Sequence, residues 1–376
     1  MTLFSGSSDK FGYYSVGNEK TYSKLDAIKL MEKTGTHLTW NYNDEIFSSY
    51  NWSNEPAETL EELYRQRAEQ LRNKYDYIVL FFSGGADSTS VLDTFIDNNI
   101  HLDELCSYVY YEGNKSTVWR NDGEISQVAI PYAQKILDTH PLMKHRVVDL
   151  SQYAYNYFSK GDAAEKFMHQ SGNLVMATSI RESVHEQVPF YKDYVNSGKS
   201  ICFLRAMDKP RVFEENGRYF FQFIDMFSPE AAAGTTAPIE FFYWGTESAK
   251  LLIKQAHIIK RYLEQATPTT PFMTWKATGA SYKIYNGKKL WLTVDGVHTL
   301  IYNTWNIKTY TVGKTPSPVF NPMMDWLFKD KNATHTKNYA DMVKRWWGDL
   351  PTYWRNNPND IAKGSVGCLS QKYYLN

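Results

Sequence analysis

The sequence predicts an α/β fold: a parallel β-sheet flanked by helices. Residues 77–82 form a run of six apolar or aromatic side chains with β-branched members, the composition of a strand buried on both faces. A Gly-rich turn follows at once, and Val91, Leu92, Phe95 and Ile96 then fall on one helical stripe. Apolar runs and amphipathic stretches keep alternating to about residue 265, as in βαβ units with right-handed crossovers.

Ahead of that core, residues 1–55 are aromatic and polar with weak periodicity. A short helix is expected over 26–33, and Trp40, Tyr42, Phe47, Tyr50 and Trp52 read as side chains packed onto another unit. Pro56 is expected to open a helix, where its missing N–H costs nothing. Leu60, Leu63, Tyr64, Arg67, Ala68 and Leu71 give that helix a single inward stripe ending near Asn73. After the motif helix come a strand over 106–111 and a helix over 126–138, with Val128, Tyr132, Ile136 and Leu137 inward. A third strand over 146–150, helical sequence over 162–187 and a fourth strand over 200–206 follow. A further strand covers 219–224 and reaches Asp225, and residues 238–244 lead into a long helix over 247–265. Leu252, Ile253, Ala256, Ile259 and Leu263 are its expected buried face.

Residues 267–271, Thr-Pro-Thr-Thr-Pro, mark a linker. Beyond it, Asn286-Gly287 between apolar strands predicts a hairpin with a type I′ turn. A strand pair is expected over 296–312 and a helix around 339–347, separated by a Pro-rich turn. The chain thus divides into an N-terminal extension with a lead-in helix (1–74), an α/β domain that carries the Gly-rich turn (75–266) and a mixed α+β accessory region (267–376).

The chemistry is concentrated in Ser83-Gly84-Gly85-Ala86-Asp87-Ser88. Two glycines let a backbone turn sharply and bring amide N–H groups close to an anion, and the following helix adds its positive end. Ser83 and Ser88 supply hydroxyl donors. Asp87 meets a phosphate productively only across a Mg²⁺ ion. No Gly-Lys-Ser/Thr follows, so the loop is not a Walker A motif, nor has it the spaced glycines of a dinucleotide fingerprint.

This hexapeptide resembles the Ser-Gly-Gly-x-Asp-Ser signature of the PP-loop (N-type) ATP pyrophosphatases, and in its parts it is nearest to the synthetase domain of asparagine synthetase. The resemblance covers at most residues 75–265. It implies a Rossmann-like sheet of the HUP type and ATP and Mg²⁺ as cofactors, with residues 83–88 on the phosphates and Asp87 on the metal. It also implies that Tyr111, Glu112 and Gly113, at the end of the second strand, contact adenine and ribose. In open α/β sheets ligands sit at the carboxyl ends of the strands, which adds the cluster after the fourth strand. There Asp208 is a candidate second metal ligand, and Lys209 and Arg211 are candidate catalytic cations for the leaving pyrophosphate. Ordinary turn chemistry accounts for Asp-Lys-Pro equally well. Arg181, Glu182, His185, Arg205 and Asp225 are further polar residues that could reach the cleft. Lys250 and Lys254 read as solvent-facing, and His257 as a satisfied, partly buried histidine.

Missing parts narrow the chemistry. No cysteine precedes Cys106, so no glutaminase nucleophile stands upstream. Cys106, Cys202 and Cys368 form neither a CxxC pair nor a metal spacing, which disfavours thiolation and zinc-dependent relatives. The expected reaction is α,β-cleavage of ATP to activate an acceptor, a small molecule with a carboxylate, for attack by an amine or ammonia. Residues 276–376 carry 14 Lys or Arg against 6 Asp and no Glu, with six of the 11 tryptophans. That mixture suits phosphate contact with base stacking, or a basic surface around an aromatic core, so adenylation of a tRNA or DNA base stays open. A non-catalytic ATP-binding protein is the other alternative. The polar N-terminus has no apolar signal core and no stretch is long enough to span a membrane; a cytoplasmic chain is expected. The sequence leaves the oligomeric state open.

Overall fold

Hydrophobic patterning places strand β4, Tyr77–Phe81, at the centre of the molecule, and its Ile78, Val79 and Leu80 are fully buried. In this computed structural model the described residues are 9–109, 125–160, 193–194, 196–207, 210–223, 225, 239–265, 282–285, 288–291, 300–302, 330–338, 341 and 369–376. Strands β1 (Tyr13–Val16), β2 (Glu19–Thr21) and β3 (Leu38–Asn41) precede β4 in a small antiparallel sheet of order β2-β1-β3. The main sheet joins β4 to β5 (Glu104–Val109), β6 (Lys144–Asp149), β7 (Ile201–Arg205) and β10 (Ile239–Phe241). All of its pairings are parallel, in the order β10-β7-β4-β5-β6. The chain winds outward from β4 to β6, then returns to β7 on the other side of β4. That reversal makes a topological switch point between the carboxyl ends of β4 and β7.

Seven α-helices are labelled here: α1 (Lys24–Thr34), α2 (Asp44–Ser48), α3 (Leu60–Lys74), α4 (Ala86–Asp97), α5 (Ile130–Leu137), α6 (Ser151–Phe158) and α7 (Ala249–Gln265). Helix α3 packs against α4 and α7, and its buried residues are the six of the predicted stripe. Pro56 does not open it. A capping box does: Thr59 accepts from Glu62 N–H at 3.1 Å, and Glu62 Oε2 accepts from Thr59 N–H at 2.7 Å. On α7 the predicted buried face holds throughout. The helix after β5 begins as one turn of π-helix, Ile125–Ala129, so the inward stripe rotates to Ile125, Ala129 and Ala133. Val128, Tyr132, Ile136 and Leu137 are half-buried instead.

The strand predicted over 219–224 belongs to a separate sheet. There β8 (Val212–Glu215), β9 (Arg218–Phe221) and β13 (Tyr373–Tyr374) pair antiparallel in the order β13-β9-β8. Strands β11 (Tyr282–Tyr285) and β12 (Lys288–Trp291) form the predicted hairpin, with Tyr282 opposite Trp291. Within the strand pair expected over 296–312, Leu300 and Ile301 are helical and Tyr302 follows them in neither helix nor strand; 296–299 and 303–312 lie outside the described residues. So do 162–187, the linker, the Pro-rich turn and most of the basic C-terminal third. Strand β10 and helix α6 were not anticipated. Strand β10 is three residues long, and α6 is rich in Tyr and Phe that suit a strand equally well.

The expected aromatic pieces of the N-terminal unit pack onto the core. Tyr42 lies 4.9 Å from Phe223, and Trp52 sits between Phe221 at 5.1 Å and Tyr373 at 4.6 Å. Asp225, a candidate cleft residue from the sequence, is instead a structural anion with no exposure. It pairs with buried Lys24 at 2.8 Å and accepts from Tyr14 Oη at 2.9 Å. Removing one member of such a pair leaves a bare buried charge. Lys24→Met is expected to cost about 3–5 kcal/mol in urea unfolding; a change of only a few tenths would mean that water or another cation compensates Asp225.

Candidate functional site

The loop after β4 runs directly into the switch point. Gly84 has φ of +74°, a conformation that L side chains rarely adopt. A Cβ there would also lie 2.8 Å from Ala129 N and 2.9 Å from its Cα, at the end of the π-turn. Both glycine requirements, turn and close approach, therefore fall on the same residue. Gly85 is the N-cap of α4, and no side chain caps that end. The first-turn N–H groups and the helix dipole thus form the polar floor of the loop.

Ser83 and Ser88 close the loop on itself. Their hydroxyl oxygens are 3.2 Å apart, Ser83 N–H donates to Ser88 Oγ at 3.3 Å, and Ser88 Oγ donates to the Gly85 carbonyl at 3.3 Å. Ala86 and Ser88 are buried, while Asp87 is half-buried on the first turn of α4. Deeper in α4, Asp93 accepts from Tyr132 Oη at 2.6 Å, tying α4 to α5. Burial, and then this hydrogen bond to Asp93, push the Tyr132 phenol well up, so it stays a donor.

Asp87 is held by two tyrosines that sequence reasoning missed. Tyr302 Oη donates to Asp87 Oδ1, and Tyr243 Oη donates to the Asp87 backbone carbonyl at 2.9 Å. The two rings are 5.5 Å apart. Burial is the first cause holding both phenols far above the usual range, and the Asp87 charge adds to it. Tyr64 completes the cluster: its hydroxyl donates to the Ile301 carbonyl at 2.7 Å and accepts from Gln255 Nε2 at 2.6 Å. One signal for the cluster was present in the sequence. Gln255 is a polar residue in the apolar face of α7, and such residues bury only with a partner.

At the carboxyl end of β7, Arg205 is buried with its guanidinium 5.0 Å from the Phe81 ring, beside the end of β4. Arg211 stands just ahead of β8, and its carbonyl accepts from Gln222 N–H at 3.3 Å. Tyr111, Glu112, Gly113, Asp208 and Lys209, like Arg181, Glu182 and His185, lie outside the described residues. Lys250 pairs with Glu58 at 2.5 Å and Lys254 with Glu55 at 2.9 Å, both remote from the loop in sequence and engaged on the surface of α7. His257 is buried with Nε2 2.8 Å from the Trp52 carbonyl, and burial lowers its pKa.

Among the described residues no group of three or more His, Cys, Asp or Glu could hold a metal, and no helix is long and apolar enough to cross a membrane. The donors at the loop are all oxygen: the Asp87 carboxylate with the Ser83 and Ser88 hydroxyls. That set fits a hard cation such as Mg²⁺, which keeps several waters and needs few protein ligands when phosphates share it. The chain matches no protein-family model and no curated protein.

The glycine requirement is directly testable. Gly84→Ala is expected to cost at least about 1–2 kcal/mol from the left-handed backbone alone. It should also displace the loop from Ala129. Unchanged urea unfolding would show that the turn tolerates a side chain.

Proposed function

We propose that this chain is an ATP-dependent adenylating enzyme built on a HUP-type sheet, with residues 83–88 as its phosphate loop. The observation that carries the reading is the position of the hexapeptide. It joins a central parallel strand, at the switch point of the sheet, to a helix whose N-terminus no side chain caps, and such helix ends favour anions.

In this reading the loop N–H groups and the Ser83 and Ser88 hydroxyls bind the phosphates of ATP. Asp87 holds Mg²⁺, which supplies charge neutralisation for the departing pyrophosphate. Lys209 and Arg211 stabilise the charge that develops on that leaving group. Asp208 shares the cation, and residues 111–113 face adenine and ribose. An acceptor carboxylate oxygen attacks the α-phosphorus as the bond to the β-phosphate oxygen breaks, releasing pyrophosphate. The nitrogen of an amine or ammonia then attacks the activated carbonyl and gives up a proton, and AMP leaves with the bonding electron pair.

Product analysis tests this. With ATP, Mg²⁺ and a pool of carboxylate and amine metabolites, wild type is expected to form AMP and pyrophosphate. Asp87→Ala should stay folded and lose on the order of 10²–10³-fold in turnover. ADP and phosphate, or no product, would overturn adenylation. Lys209→Ala is expected to lose rate with little change in ATP affinity, as for a contact made in the transition state. A large affinity loss at unchanged rate would make Lys209 a ground-state binder instead.

A further inference from the structure

Asp87 is half-buried on the first turn of α4. The groups that hold it come from far along the chain. Tyr302, fully buried, donates its hydroxyl to Asp87 Oδ1. Its position is set from two further directions. The carbonyl of the preceding residue, Ile301, accepts from Tyr64 of α3, which is itself tied to Gln255 of α7. The Tyr302 ring packs against Tyr243, whose own hydroxyl holds the Asp87 backbone. The carboxylate and its peptide unit are thus gripped separately, by two hydroxyls from different segments.

We propose that Tyr302 is a positioning residue for divalent-cation binding at Asp87, an inference that rests on the proposed reading of the 83–88 loop. The chemistry of the donor matters. A Lys or Arg at this place would neutralise Asp87 and compete with a cation. A neutral phenol orients the carboxylate through Oδ1 and leaves it its negative charge. Carboxylates that ligate metals are commonly held in this way, and losing the outer hydrogen bond weakens binding about 10–100-fold.

The experiment uses Mn²⁺ as the probe, titrated into the full chain with ATP and followed by electron paramagnetic resonance. Tyr302→Phe keeps the ring and its contact with Tyr243. It is expected to weaken Mn²⁺ binding about 10–100-fold, while Asp87→Asn weakens it at least as much. Unchanged affinity in Tyr302→Phe beside a loss in Asp87→Asn would overturn the positioning role and leave the loop reading standing. Unchanged affinity in Asp87→Asn would overturn the loop reading itself, and this inference with it. If Tyr302→Phe fails to fold, 3-fluorotyrosine at position 302 in the otherwise native chain gives the answer. Its fluorine resonance should broaden with Mn²⁺ and ATP and stay sharp with Mg²⁺ and ATP; no broadening at saturating Mn²⁺ would overturn the proposal.

Discussion

The left-handed turn at Gly84, pressed against the backbone of Ala129, is the constraint on which the rest of the site depends. Its positive φ swings the chain out of β4 and starts α4 within two residues. Its missing side chain lets the π-turn of residues 125–129 come close enough to wall the loop. Because β4 is paired on both edges, with β5 and β7, the start of the turn cannot drift. The direction of α4 and the placement of Asp87 on its first turn follow from that fixed start. A larger residue at 84 would have to move either the π-turn or the helix.

A second constraint works one layer out. Arg67 is buried in α3 and donates to two successive carbonyls past and within β10, Phe241 at 2.8 Å and Phe242 at 3.2 Å. Glu240 lies 3.7 Å from the same guanidinium. A charge this deep is tolerated because its carbonyl and carboxylate partners are fixed around it. Gly245 is required for the same reason, since a Cβ there would lie 2.4 Å from Arg67 Nη2. The guanidinium fastens α3 to the short edge strand of the sheet and turns the chain toward Tyr243. The aromatic seam of Tyr42, Phe223, Trp52 and Tyr373 then closes the N-terminal unit and the terminal strand over the other side.

Legibility in the sequence followed the range of the forces. The strand β4, the Gly-rich turn, the stripes of α3, α4 and α7 and the β11–β12 hairpin depend on periodicity and turn chemistry within about ten residues, and all were readable. Arg67 fell on the apolar stripe and is indeed buried, although its partners lie on a strand far downstream. The helix start at Thr59 lost to Pro56 because both are start signals, and only the reciprocal Thr59–Glu62 bonds decide between them. Asp225 looked like a strand-end acid because nothing nearby announces Lys24, some two hundred residues earlier. The three-residue strand β10 lacks the length to show a period at all. For the site, the loop was legible and its keepers were not: Tyr243 and Tyr302 stand in ordinary aromatic surroundings, and long-range hydrogen bonds leave no local pattern.

That division between a legible loop and illegible keepers has a physical reason. A tight turn from strand into helix needs small residues and a positive φ, both of which are written locally. The Asp87 carboxylate is held by a donor from outside the loop, while the neighbouring hydroxyls of Ser83 and Ser88 face each other and Gly85 across the turn. The donors must be neutral if the acid is to keep its charge, and shielded from water if they are to be directional. Buried phenols meet both conditions. They arrive from the segment after β10 and from residues 300–302, so the geometry of Asp87 is set jointly by the main sheet and by a segment far downstream of it. A ligand that shifts Ile301 and Tyr302 would be felt at the carboxylate through one hydrogen bond, and a cation drawn to Asp87 would in turn stiffen that segment, since coupling of this kind is reciprocal.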